Sequence, residues 1–104
     1  SLYRETNEGM IENVYTLKIM NMDNASHRYV LSASGIEGLV LDPVLTDIAI
    51  DAGQTRDIVV RLVADPEKLI KRSSQVEFQL QAADDKKLVV REDAKFLGPI
   101  PVRQ

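Results

Sequence analysis

Three side chains around one short loop have the chemistry of a soft metal site. Met20 and Met22 flank the start of a polar loop, and His27 lies at its end. Thioether and imidazole groups are suited to Cu(I), and alternate residues of a strand share one face. The spacing therefore predicts a copper site made of Met20, Met22 and His27. The alternative is that the methionines fill gaps in packing or cap a sheet edge.

The other reactive side chains do not form a recognisable catalytic set. His27 is the only histidine, and a Ser-His-Asp triad would also need an orienting carboxylate and an activated hydroxyl, for which no nucleophile-elbow motif is present. Asp84 and Asp85 are followed by two lysines, so we predict a solvated hairpin tip there, and calcium would require more oxygen ligands. The chain has no cysteine, which excludes thiolate nucleophiles, cysteine-bound zinc and iron–sulfur clusters within it. We expect no catalytic residue and no cofactor-binding residue.

Composition fits one folded domain with a packed core. The 104 residues are 44% hydrophobic and 28% charged, with a formal net charge of -3. Basic residues are scattered, so no stripe exists to neutralise phosphates and a nucleic-acid partner is not expected. Lys68, Lys71 and Arg72 form a local basic cluster, which we interpret as a solvated helical turn and not as a lipid contact. No apolar stretch approaches the roughly 20 residues that span a bilayer.

The dominant pattern is a period of two, which is typical of half-buried strands. In residues 14–20, for example, Tyr15, Leu17 and Ile19 alternate with Thr16 and Lys18. Similar alternation follows the loop at 21–26 and recurs at 76–82, with shorter apolar runs at 39–41 and 88–90. Turn residues separate these runs, and helical periodicity is nearly absent.

Two local signals complete the predicted topology. The turn 51–54 joins two alternating runs and predicts a hairpin, with Gly53 in a left-handed conformation. Asp65 and Pro66 predict the N-cap and first residue of a short helical connector. The predicted fold is all-β, an immunoglobulin-like antiparallel sandwich of about seven strands with one short helical connector. Exposed Val14, Val59 and Val63 mark a docking surface or a second covered face.

Five segments together resemble a known family. They are 2–5 (LYRE), 11–18 (IENVYTLK), 27–29 (HRY), 64–66 (ADP) and 96–99 (FLGP). Over nearly its whole length the chain resembles the C-terminal immunoglobulin-like domain of FixG-type cytochrome c oxidase accessory proteins. The resemblance implies an excised domain, with residues 1–8 as a linker after a membrane span, 9–99 as the sandwich and 100–104 as a C-terminal tail.

The resemblance also implies a cellular role. Such proteins are bacterial inner-membrane proteins in which another part holds two [4Fe-4S] clusters, and they assist assembly of cbb3-type oxidase. We therefore expect a non-catalytic accessory domain on the periplasmic side of the inner membrane, acting by docking or positioning. Its expected partners are the rest of its own membrane protein and, beyond that, oxidase subunits or copper carriers. The alternatives are a weak copper-binding module and an adhesion or carbohydrate-associated domain.

Overall fold

The computed structural model describes residues 2–100 as two antiparallel sheets packed face to face. The first sheet has the strand order β1-β2-β6-β4, and the second has the order β5-β3-β7-β8. The strands are β1 (Arg4–Glu5), β2 (Ile11–Met20), β3 (His27–Ser34), β4 (Val40–Asp42), β5 (Leu45–Ile50), β6 (Thr55–Ala64), β7 (Ser73–Ala82) and β8 (Val89–Leu97). The predicted all-β sandwich is confirmed, with eight strands in the described residues where about seven were predicted.

The core forms between the sheets because apolar residues alternate with polar ones along the strands. In β2, Tyr15, Leu17 and Ile19 face inward, whereas Thr16 and Lys18 are exposed, as the alternation predicted. Burial of such side chains contributes roughly 25 cal/mol for each Å² of apolar surface removed from water. The buried apolar residues are Ile11, Ile19, Tyr29, Leu31, Ile48, Ile50, Val60, Leu62, Ala64, Leu69, Val76, Phe78, Ala82 and Phe96.

The predicted hairpin around the turn 51–54 is wrong in its strand pairing. β5 pairs with β3, and β6 pairs with β2 and β4, so the turn crosses from one sheet to the other. The turn itself is as predicted, since Gly53 has a φ of 73° and the Gln54 amide donates to the Asp51 carbonyl. Asn21 anchors the crossing, because its carbonyl accepts from Gly53 and its amide donates to Gln54. Alternation shows which residues are buried, but it does not identify the neighbouring strand.

The predicted helical connector is confirmed as one 3-10 turn, Pro66–Lys68. The Asp65 carboxylate accepts a hydrogen bond from the Glu67 amide at 2.9 Å, and Pro66 takes the first position. A turn follows β4, where the Asp42-Pro43 peptide bond is cis.

The division into linker 1–8, sandwich 9–99 and tail 100–104 stays a prediction. Within residues 1–8, β1 pairs with β2, placing Arg4 opposite Glu12 and Glu5 opposite Ile11. A strand of two residues is too short to leave an alternation signal. Ser1 and residues 101–104 lie outside the described residues. No helix in the part of the chain that the structure describes has the length and apolar character needed to cross a bilayer.

Candidate functional site

The two candidate methionines lie at the end of β2 and in the loop that follows. Met20 is 57% exposed and Met22 is 86% exposed. Both line a surface groove, which we call the methionine groove. Its other lining residues include Tyr29, Leu80 and Val90. The structure thus brings the two thioethers to one surface groove.

His27 lies elsewhere, between two carboxylates. Nε2 of His27 is 2.7 Å from Oδ2 of Asp23, and Nδ1 is 3.0 and 3.1 Å from the two carboxylate oxygens of Asp84. The histidine is only 8% exposed. We call these three residues the His27 clasp. It ties the loop between β2 and β3 to the turn between β7 and β8.

The clasp favours the charged form of the imidazole. The hydrogen bond to Asp23, followed by that to Asp84, raises the pKa of His27 above 6.5. The same contact with His27 lowers the pKa of Asp23. A ring that is protonated at both nitrogens can donate to both carboxylates, whereas a neutral ring can donate to one of them alone. When His27 is protonated, the clasp is therefore an ion-pair network with Asp23 and Asp84.

The geometry bears directly on the copper prediction. His27 lines a depression with Ser26, Asp51 and Asp84 and is not among the residues that line the methionine groove. Copper would have to replace a proton on His27 and compete with a carboxylate. The structure brings Met20 and Met22 together and does not bring His27 into their groove. Binding of Cu(I) by this set stays a prediction.

Sequence reasoning found His27 but missed its two partners. The position of Asp23, four residues before His27 at the same loop, was a weak indication that the two side chains are partners. Asp84 is separated from His27 by 57 positions and had no signal at all. It was predicted to lie at a solvated hairpin tip, and its side chain is indeed 61% exposed while it contacts His27.

An open apolar groove lies between β2 and β8, next to the methionines, and we call it the lateral groove. It encloses about 440 Å³. On one side it is lined by five consecutive residues of β2, Thr16, Leu17, Lys18, Ile19 and Met20. On the other side it is lined by Leu31, Phe78, Leu80, Val90 and Glu92. It is continuous with the methionine groove, since Met20, Leu80 and Val90 line both.

The two strands are joined at the other end of the sandwich. The Asn13 side chain donates to the Leu97 carbonyl and accepts from the Leu97 amide, both at 2.8 Å. Two residues further along β2, the Tyr15 hydroxyl donates to the Lys95 carbonyl at 2.8 Å. Burial raises the pKa of Tyr15 to about 12. These contacts close one end of the gap between β2 and β8 and leave the end near Met20 open.

Residues of β8 show that the inner face is uncovered at the open end. Val90 pairs with Leu80, and Glu92 pairs with the inward-facing Phe78, so both share the core side of the sheet. Nevertheless Val90 is 61% exposed and Glu92 is exposed. Within residues 2–100, the Glu92 carboxylate forms no ion pair or side-chain hydrogen bond. The lateral groove thus presents apolar side chains and one unpaired carboxylate.

The outer face of the first sheet carries the valines for which the sequence predicts a docking surface or a second covered face. Val14 and Val59 are 59% and 60% exposed, while Val63 is partly buried. Beside them, Glu12 is 3.0 Å from Arg4 and 3.8 Å from Arg61. These charges alternate with the valines and break up the apolar surface.

One residue in each of the remaining charged clusters has a local partner. Lys68 of the basic cluster forms an ion pair with Glu37 at 3.5 Å. The Asp85 carboxylate accepts from the Lys87 amide at 3.0 Å, which stabilises the turn before β8. Among the described residues, no group of three or more His, Cys, Asp or Glu residues is placed to hold a metal ion.

Comparison with known proteins identifies related sequences and structures. Residues 1–99 match the family model described as "IG-like fold at C-terminal of FixG, putative oxidoreductase". A solved structure, that of a FixG-related protein from Vibrio parahaemolyticus, is 26% identical and superimposes with a TM-score of 0.78. The match covers 86% of this chain and 81% of that chain. No curated protein matches the chain.

Proposed function

Because the chain belongs to the family of immunoglobulin-like domains found at the C-terminus of FixG, we propose that it is a non-catalytic docking domain. It would hold a FixG-like membrane iron–sulfur protein against a partner during assembly of cbb3-type cytochrome oxidase. Oxidase subunits and copper carriers are the proposed partners. The proposed location is the periplasmic side of the bacterial inner membrane.

The lateral groove is the observation that carries this proposal. Val90 lies on the core side of its sheet but remains 61% exposed, and Leu17 and Leu80 beside it are half-buried. Apolar surface that a second protein covers contributes favourable free energy to binding. A domain serving only as a spacer would gain stability by closing this gap. The open gap therefore supports a docking role.

The proposal assigns electron transfer to other parts of the protein. Thiolate ligands of iron–sulfur clusters are cysteines, and this chain contains none. Two [4Fe-4S] clusters would be held outside this domain. Loss of the domain should then impair partner contact and leave cluster chemistry intact.

The test is replacement of residues 9–99 in the full-length protein by an unrelated immunoglobulin-like domain of similar length. This swap keeps a spacer and removes the docking surface. We expect the amount of assembled oxidase to fall, measured by haem content of the purified complex, while the clusters remain reducible by dithionite. Normal assembly with the unrelated domain would contradict the docking proposal and support a spacer.

The copper-binding alternative is favoured by one observation, the exposure of both thioethers in one groove. We propose Cu(I) titration of the chain under anaerobic conditions, monitored by shifts of the methionine methyl signals. Because His27 is engaged by Asp23 and Asp84, a site that uses its imidazole should bind more tightly as the pH rises. Binding that is unchanged in His27→Gln would assign any copper affinity to Met20 and Met22 alone.

The carbohydrate-associated alternative has less support. Stacking on sugar rings needs exposed aromatic faces. The chain has five aromatic residues, and Tyr29, Phe78 and Phe96 are buried in the core. The other two, Tyr3 and Tyr15, are partly buried and pack against it.

A further inference from the structure

The edge of β2 has backbone available for pairing beside the lateral groove. β1 pairs with β2 only at Ile11 and Glu12. From residue 14 to Met20, β6 is the neighbour of β2 on one side, and within residues 2–100 no strand pairs with the other side. The part that borders the open groove is residues 16–20, which at about 3.3 Å per residue is roughly 17 Å long. It is long enough to pair with an added strand of average length.

The lateral groove has the form that an added strand would occupy. Five consecutive residues of β2 line it, so the free edge itself, and not just one face of the strand, borders the groove. A strand paired with this edge would continue the line of β1. Its alternate side chains would point inward toward Leu17 and Ile19 of β2 and Leu80 and Val90 across the groove.

Two charged residues line the groove, Lys18 on the outward side of β2 and Glu92 on the inner side of β8, and the inner carboxylate favours a strand that is not purely apolar. Glu92 shares the inner side of β8 with Val90 and has no partner for its carboxylate in the described residues. A carboxylate next to apolar side chains is stabilised by an opposite charge brought close to it. An arginine or lysine on the added strand would supply that charge.

We propose that the lateral groove binds an extended segment of a partner protein, which adds as a strand to the free edge of β2. The segment carries apolar side chains at alternate positions and one basic side chain that pairs with Glu92. This inference rests on the proposed docking function and specifies its surface and the chemistry of the partner.

The probe is a nine-residue synthetic peptide of alternating valine and threonine, with one central inward valine replaced by lysine. Two further peptides serve as controls. One has glutamate at the central position, and the other has its valines in one consecutive run, so that they do not alternate with threonine. Binding to the isotope-labelled chain is followed by amide NMR. We expect shifts at Leu17, Ile19, Leu80 and Val90, and slower exchange of the unpaired amides of β2. The lysine peptide should bind about five-fold more tightly than the glutamate peptide.

A charge reversal tests the role of Glu92. Glu92→Lys should invert the preference, so that the glutamate peptide binds more tightly. Asp93→Lys is the matched control, because Asp93 is the next residue of β8 and is also exposed, but it lies on the opposite face. It should leave the preference unchanged. Equal binding of all three peptides, or a preference that Glu92→Lys does not alter, would overturn the inference.

Two further measurements separate this inference from its alternatives. The first is analytical ultracentrifugation of the chain and of Val90→Glu. If the chain is a dimer and Val90→Glu is a monomer, a second copy covers the groove and the partner-strand inference is overturned. In the full-length protein, Val90→Glu should lower oxidase assembly as the domain swap does. If the domain swap impairs assembly and Val90→Glu does not, the groove inference is wrong. The domain would then dock through another surface.

Discussion

Nδ1 of His27 lies 3.0 Å from a carboxylate oxygen of Asp84, although 57 positions separate the two residues in the chain. This contact joins the first residue of β3 to the turn after β7. Asp23 contacts the other ring nitrogen of His27. The position of both loops at this end of the sandwich therefore depends on the hydrogen bonds of one imidazole.

The clasp should make stability depend on pH. The pKa of His27 is raised in the folded state, so its contribution is fully present below about pH 6.5 and is lost as the pH rises through the folded value. The lowered pKa of Asp23 has the opposite effect in acid, where its contribution is lost as the pH falls below 3.8 through the folded value. We expect the free energy of unfolding in urea to decrease as the pH rises above 6.5.

His27→Gln is the control, because it should remove the part of this pH dependence that lies above pH 6.5. Direct NMR titration of the imidazole should show that Asp23→Asn lowers the pKa of His27 more than Asp84→Asn does, because the Asp23 hydrogen bond is the larger cause. Titration of wild-type His27 at or below 6.5 would contradict the clasp.

Asn13 should be a major link between the sheets. Its amide pairs with both the N–H and the C=O of Leu97, as a backbone group would. Asn13→Ala leaves two backbone groups without partners, which should cost about 2–4 kcal/mol in the free energy of unfolding. Asn13→Asp keeps the acceptor but turns an oxygen toward the Leu97 carbonyl and buries a charge, so at neutral pH it should cost at least as much. Asn7→Ala, at an exposed position, is the neutral control. Equal stability of Asn13→Ala and Asn7→Ala would refute the assignment.

Gly35 should not tolerate a side chain. Its φ is +124°, and an added Cβ would lie 2.7 Å from the Gln75 carbonyl oxygen. The carbonyl oxygen belongs to the backbone of β7, so it cannot move aside easily. We expect Gly35→Ala to lower stability by about 3 kcal/mol.

Gly38 provides the comparison for Gly35, because its φ is +74° and an added Cβ would contact nothing within 4 Å. Gly38→Ala should cost about 1 kcal/mol, from the left-handed conformation alone. Thermal or urea unfolding of the two variants checks the difference. A similar loss for both would show that the contact with Gln75 does not matter.

Glu12 should stabilise the first sheet through its two arginine partners. Its side chain is 10% exposed and lies 3.0 Å from Arg4 on β1 and 3.8 Å from Arg61 on β6. Glu12→Gln removes the charge at nearly constant shape and should cost about 1–2 kcal/mol. Glu8→Gln, at an exposed site, should be neutral. A double-mutant cycle with Arg4→Met isolates the pair with Arg4, and a coupling energy of zero would assign the effect to Arg61.

Local chemistry was sufficient to predict most of the fold. Alternation along β2 identified its inward residues, and Asp65 with Pro66 identified the connector. The pairing of β5 was not predictable in this way. The same alternating pattern fits a hairpin with β6 and the observed pairing with β3, and the contact of Asn21 with the turn decides between them.

The candidate site was less accessible to sequence reasoning. Met20, Met22 and His27 were visible by type and spacing, but their exposure and partners depend on residues far along the chain. The lateral groove has no sequence signal. It exists because Asn13 and Tyr15 join β2 to β8 at one end only, and a distance between strand edges is a property of the assembled sandwich.

The crossing at the turn 51–54 has a consequence for folding kinetics. From β2 to β7, every connection passes to the other sheet, so any continuous fragment that contains one whole sheet also contains strands of the other. The link between Asn13 and Leu97 joins the first long strand to the last. The domain must therefore wait until nearly its entire length is available before it folds cooperatively. Such non-local topologies fold slowly, so the nascent chain would depend on chaperones to keep its apolar strands from aggregating.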